Sequence, residues 1–115
     1  MKHDWIRQGM LAEDAKSLAR ALGKQKILVL IQDKLFIDSS ENDISNGGTI
    51  TKSALVKIVE ELCKKREIET YGTNTKAQCI ETMIKLTSGI AEADDTSKGG
   101  TVTGYALLKV YLAMK

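Results

Sequence analysis

Proline is missing from this chain of 115 residues, so only glycine and polar runs can interrupt its helices. Aromatic bulk is scarce: one Phe, one Trp and three Tyr. Leu, Ile, Val, Ala and Met must therefore fill the interior, which suits packed helices better than a β-sandwich. Cysteine and histidine are equally sparse. Cys63 and Cys79 form no CxxC and His3 stands alone near the N-terminus, so zinc-ligand spacing is absent and no metal site is expected. The chain has no GxSxG, HExxH or Walker lysine motif, which leaves no catalytic residue to name, no cofactor to expect and no support for an enzyme. No stretch approaches the ~20 apolar residues of a membrane span. The opening "MKHDWIRQGMLAEDAK" carries Asp4, Glu13 and Asp14 in place of an apolar signal core, so a cytoplasmic location without membrane attachment is expected.

What is present is ordinary in amount and uneven in place. Hydrophobic residues make up 43% of the chain, enough for one domain over residues 1–115 with its own core. The formal charge is only +2, too small to argue for nucleic acid by itself. Residues 38–50 hold Asp38, Glu41 and Asp43 with no cation, whereas residues 51–86 carry six Lys and one Arg against five Glu.

The strongest signal is an internal duplication. Residues 43–59 and 95–111 share nine identities in seventeen positions: Asp43/Asp95, Ser45/Ser97, Gly47/Gly99, Gly48/Gly100, Thr49/Thr101, Thr51/Thr103, Ala54/Ala106, Leu55/Leu107 and Lys57/Lys109. Ile50/Val102 and Ile58/Val110 are conservative mismatches. Two copies fall short of a solenoid and fit a pseudo-twofold pair around one core.

Each copy reads as a polar glycine loop, a β-friendly triplet and a helix, with Thr51 or Thr103 as the N-cap. Leu55, Ile58, Val59, Leu62 and Cys63 recur at helical spacing, in a stripe ending near Ile68. "TYGTN" punctuates, and Ala77, Ile80, Met83 and Ile84 then fall on one helical face. "YALLKVYLAMK" is apolar nearly all round and predicts a buried or interface helix, in which Tyr105 and Tyr111 pack. Upstream, Leu11, Ala15, Leu18 and Leu22 share a register that Gly23 stops, with Trp5 as an anchor for that helix. "ILVLI" at 27–31 reads as a buried strand or a buried helix. Helix is preferred because the segment occupies the place that residues 77–86 hold in the second half. The fold expected is all-α, four to five helices in two related helix–loop–helix halves with a short two-stranded bridge.

Over residues 24–115 this arrangement resembles an EF-hand pair. With Gly48 at loop position six, Asp43, Ser45, Gly47, Thr49 and Ile50 fall at positions one, three, five, seven and eight; Asp95, Ser97, Gly99, Thr101 and Val102 repeat them. The resemblance implies that Ile50 and Val102 pair the two loops through a β-bridge. Position twelve, where the family supplies a bidentate Glu, is Ala54 or Ala106, and position five is glycine. Calcium, which takes six to eight oxygens, is therefore not expected to bind.

Residues 55–86 resemble a second family, the SAP helix–loop–helix of nucleic-acid proteins. Val59, Leu62 and Cys63 match its first helix, Lys64, Lys65 and Arg66 its basic turn, Ile68 its buried turn residue and Gly72 its glycine. Lys76-Ala77-Gln78-Cys79-Ile80 matches the second helix, although Thr73-Asn74-Thr75 lengthens the spacing and Glu67 stands in place of a preferred Gly. The resemblance implies phosphate contacts from Lys64, Lys65, Arg66 and Lys76. The short turn centred near Tyr71 predicts that residues 51–68 and 75–91 run antiparallel, with Cys63 and Cys79 at one height: two buried thiols are expected, able to form a bridge on mild oxidation. The leading functional expectation is a non-enzymatic interaction or regulatory protein that binds a protein partner or itself through a helical surface. Its alternative is a small DNA-binding protein using residues 51–86.

Overall fold

A computed structural model describes residues 12–69, 75–87, 89 and 91–114. The readings of His3, Trp5, Leu11, Tyr71 and Gly72 lie outside the described residues. Among the described residues five α-helices occur in order: α1 Ala12–Leu22, α2 Lys24–Leu35, α3 Lys52–Arg66, α4 Lys76–Leu86 and α5 Gly104–Ala113. Short 3-10 turns at Glu41–Asp43 and Ala93–Asp95 open the two repeated loops. The all-α expectation holds. Residues 27–31 lie inside α2, and Gly23, at φ 85, separates α1 from α2.

Helix starts follow from local chemistry. Thr51 and Thr103 accept at their hydroxyls from the backbone N–H of Ala54 (3.3 Å) and Ala106 (3.2 Å), and Thr75 does so for Gln78 (3.1 Å). The predicted stripe of α3 is buried from Leu55 to Cys63, but Ile68 is 40% exposed beyond the helix end. On α4, Ile80, Met83 and Ile84 are buried as expected, while Ala77 is exposed and Cys79 faces the core instead. α5 is the central element: its six consecutive residues Tyr105–Val110 are buried, because α1, α2 and α4 all pack around it.

The paired helices run in the same direction. At the starts of α2 and α5, Lys24 Nζ donates to the Val102 carbonyl (3.2 Å); at their ends, Lys34 Nζ donates to the Met114 carbonyl (2.8 Å). The duplication relates α2 to α4 and α5 to α3, so α3 and α4 repeat that geometry. Lys52, opening α3, is the cation that acts on the Cys79 thiol near the start of α4. Lys65 and Arg66, closing α3, line one cleft with Leu86 and Thr87 at the end of α4. The antiparallel hairpin is thereby corrected. The connection over 67–75 can reach ~30 Å, more than the ~22 Å length of a 15-residue helix, so it can return the chain to the starting end. Cys63 then lies on the order of 10–15 Å beyond Cys79 along the shared axis. Both are buried free thiols, as expected, but the bridge expected on mild oxidation is out of reach.

The β-bridge is also relocated. Ile44 pairs with Ile50, and Thr96 with Val102, each inside its own loop. Gly48 (φ 84) and Gly100 (φ 82) turn the chain tightly enough for position eight to fold back on position two.

Candidate functional site

The four cations singled out in the sequence do not share one face. Lys64 pairs with Glu61 (3.1 Å) on the side of α3. Lys65 and Arg66 are exposed in its last turn, where Glu67 (φ 57) ends the helix: its N–H donates to the Lys64 carbonyl (3.2 Å) and the Ile68 N–H to that of Cys63 (3.1 Å). Lys76 opens α4, about 15 Å along that helix from the end that Lys65 and Arg66 approach.

Lys65 and Arg66 instead join residues that sequence reading missed. α2, α3, α4 and α5 all end around one cleft of about 170 Å³, lined by Lys34, Leu35, Leu62, Lys65, Arg66, Leu86, Thr87, Ala113 and Met114. Its floor is apolar and its rim cationic. Cations in the last turn of a helix complement the negative end of the dipole, which explains their placement in part. Lys34 is engaged twice, through the Met114 carbonyl (2.8 Å) and over the Tyr111 ring (4.8 Å to the centroid). Lys65 and Arg66 have no hydrogen-bond or ion-pair partner among the described residues.

Next to Leu35 of this cleft stands Phe36, the chain's only Phe. It is 91% exposed and sits at φ 60, in the left-handed region that favours glycine. Its signal in the sequence is faint: one aromatic inside the polar run "KLFIDSSEND".

A larger cleft of about 370 Å³ lies between α1 and the start of α5, lined by Lys16, Arg20, Lys24, Asp94, Gly104 and Tyr105 among others. Its polar groups are committed to joining the elements around it. Lys16 binds Asp94 (2.6 Å) and lies over the Tyr105 ring (5.3 Å), Lys24 is held by the Val102 carbonyl, and Arg20 reaches Ser17 (3.4 Å). Tyr105 donates to Glu92 (2.8 Å); burial, that hydrogen bond and the nearby carboxylates push its phenol well above the ordinary range.

The repeated loops turn their oxygens inward. Ser45 and Thr49 share a hydroxyl hydrogen bond of 2.7 Å, and Ser97 and Thr101 one of 2.6 Å. Asp43 accepts from the Ser40 N–H (2.8 Å) and Gln32 Nε2 (2.9 Å), and Asp95 from the Glu92 N–H (2.7 Å). These carboxylates close the loops onto the core. Among the described residues no three His, Cys, Asp or Glu side chains group as a metal site. Among the same residues, no helix is long and apolar enough to cross a membrane. Neither a family model, nor a curated protein, nor a solved structure matches the chain.

Proposed function

We propose that this chain is a non-enzymatic interaction protein that receives a protein partner on the cleft where its four helices end. The observation that carries this reading is Phe36. A large apolar ring left in water forgoes ~1.5–3 kcal/mol of burial, and left-handed backbone costs a non-glycine residue about 1–2 kcal/mol. Both losses occur at one residue, next in the chain to Leu35 of an apolar floor whose rim holds two cations without partners among the described residues. A partner laid over Phe36 would recover the burial term. Nucleic acid is the second reading, supported by the free charges of Lys65 and Arg66, but a phosphate backbone has no use for a floor of Leu35, Leu62, Leu86 and Met114.

The test places a photo-crosslinking amino acid at position 36 and, as control, at the exposed loop position 46. The expected result in cells is a discrete adduct from position 36 alone, lost when Lys65 and Arg66 are both changed to Glu. An adduct containing a second copy of the chain identifies self-association. A nuclease-sensitive adduct transfers the reading to nucleic acid, and equal labelling from both positions ends it.

A further inference from the structure

We infer that the occupant of the helix-end cleft is a short acidic peptide segment bearing a large apolar anchor side chain. This rests on the reading of the same cleft as a protein-binding surface. Size argues first: about 170 Å³ lies below the ~300–1,000 Å³ of pockets that enclose small molecules or cofactors, and suits a side chain or two. The floor is chemically uniform, with Leu35, Leu62, Leu86, Ala113 and Met114 contributing only carbon and one thioether.

Charge decides the flanks of the anchor. The lining holds three cations and no carboxylate. Glu67 and Glu69, next along the chain from Arg66, are exposed but do not line the cleft. Arg66 offers a planar fork that matches a carboxylate in two parallel hydrogen bonds, and Lys65 adds a point charge beside it. Backbone chemistry separates a peptide from a polyphosphate. Cap donors already take the carbonyls of Gln32, Asp33, Cys63, Lys64, Ile84, Val110 and Tyr111, so among the described residues the acceptors left at the rim are the final two carbonyls of each helix. A peptide brings N–H donors for those acceptors and carboxylates for the cations; a nucleic-acid backbone meets the cations and leaves the carbonyls opposed to its own negative oxygens.

The experiment is selection of a displayed library of short random peptides on the intact protein, followed by titration of the winners. The expected winners carry Asp or Glu flanking Phe, Leu, Ile or Trp. Their affinity should fall at least about tenfold, or ~1.4 kcal/mol, in Lys65→Gln/Arg66→Gln and further in Lys65→Glu/Arg66→Glu. It should be unchanged in Lys26→Glu, an exposed cation near the opposite end of α2. Thermal melts that match the parent confirm that each variant is folded. Winners that are basic or uncharged, winners indifferent to Lys65 and Arg66, displacement of the winners by duplex DNA at equal charge concentration, or no enrichment at all would each overturn the inference. A position-36 adduct obtained alongside any of these results leaves the protein-binding reading standing and removes only the acidic occupant. Absence of that adduct together with failed selection removes both.

Discussion

Lys109, with none of its side chain exposed, holds its Nζ 2.8 Å from Glu92 Oε2. Asp95 forms a second ion pair with it, and the Tyr105 ring lies 4.9 Å from the same nitrogen. Its repeat partner Lys57 makes the weaker version, 3.5 Å from Asp43 with 37% of its side chain exposed. The same separation of fourteen positions thus builds a buried charge cluster in one half and a part-exposed pair in the other. Two features set the second half apart: Glu92 stands where the first copy has Ser40, and α1 packs against α5.

Removing one member of a buried ion cluster strands the others, at a cost of about 3–5 kcal/mol. Lys109→Ala should therefore destabilise the protein severely, whereas Lys57→Ala should cost about 0–1 kcal/mol because solvent already screens that pair. Denaturant unfolding of the two variants checks the contrast, and equal losses would refute the division of labour between the halves.

Acid stability should report on Asp43. Burial opposes its charged form, but the Gln32 amide, the Ser40 N–H and the Lys57 charge together outweigh burial and hold the carboxyl below its ordinary value. A folded-state value lower than the unfolded one means that the unfolded chain binds more protons as the pH falls. The contribution is complete above the unfolded value near 3.9 and is lost as pH drops through the lowered folded value. Asp43→Asn should flatten stability against pH in that acid window and leave its slope near neutrality unchanged. Denaturation midpoints measured from neutral to acid pH test this.

The two glycine turns give a paired control. Gly48 and Gly100 have φ of 84 and 82, whereas neither Gly47 nor Gly99 lies in that left-handed range. Gly48→Ala and Gly100→Ala should each cost about 1–2 kcal/mol, and Gly47→Ala and Gly99→Ala within about 0.5 kcal/mol. Similar melting temperatures for all four variants would contradict the turn geometry.

Much of this architecture was legible because the repeat wrote it twice. Asp, Ser, Thr and Gly recur at fixed spacing because each satisfies a hydrogen bond or a φ inside a loop of about a dozen residues, and local chemistry of that kind shows in the chain. Lys57 and Lys109 recurred too, but their roles depend on what covers them, which spacing does not encode. The direction of α4 was not legible because a linker of nine residues permits either answer. The face of α4 was misread separately: spacing admits Ala77 or Cys79 beside Ile80, Met83 and Ile84, and the core takes Cys79. Phe36 was missed for a different reason: periodicity finds what a helix buries and is silent about a residue just past its end.

The thiols test the parallel direction of α3 and α4. Burial pushes the Cys79 thiol up, with the Lys52 charge only partly opposing it. A protonated, buried thiol is a poor nucleophile, and Cys63 lies beyond the ~7 Å Cα separation that a disulfide allows. Mild oxidation of the native protein should leave both thiols free by mass spectrometry, and denaturation should expose both to alkylation. An intramolecular bridge formed under native conditions would restore the antiparallel hairpin.

Phe36 supplies the sharpest separation of stability from function. It occupies the C-cap of α2 in left-handed backbone, and its N–H is satisfied by the Asp33 carbonyl (3.3 Å). Any residue with an N–H can make that bond, so the phenyl ring adds nothing to the cap. Glycine at this position removes the backbone strain at once, as it does at the ends of many helices. Being 91% exposed, the ring also gives up almost no burial when it is deleted. Phe36→Gly should therefore stabilise the isolated protein by about 1 kcal/mol while abolishing the position-specific binding attributed to the helix-end cleft. Denaturant unfolding measures the first effect, and titration of peptides selected on the parent protein measures the second. A destabilised Phe36→Gly would mean that the ring packs against something in the fold, and its exposure would no longer argue for a partner.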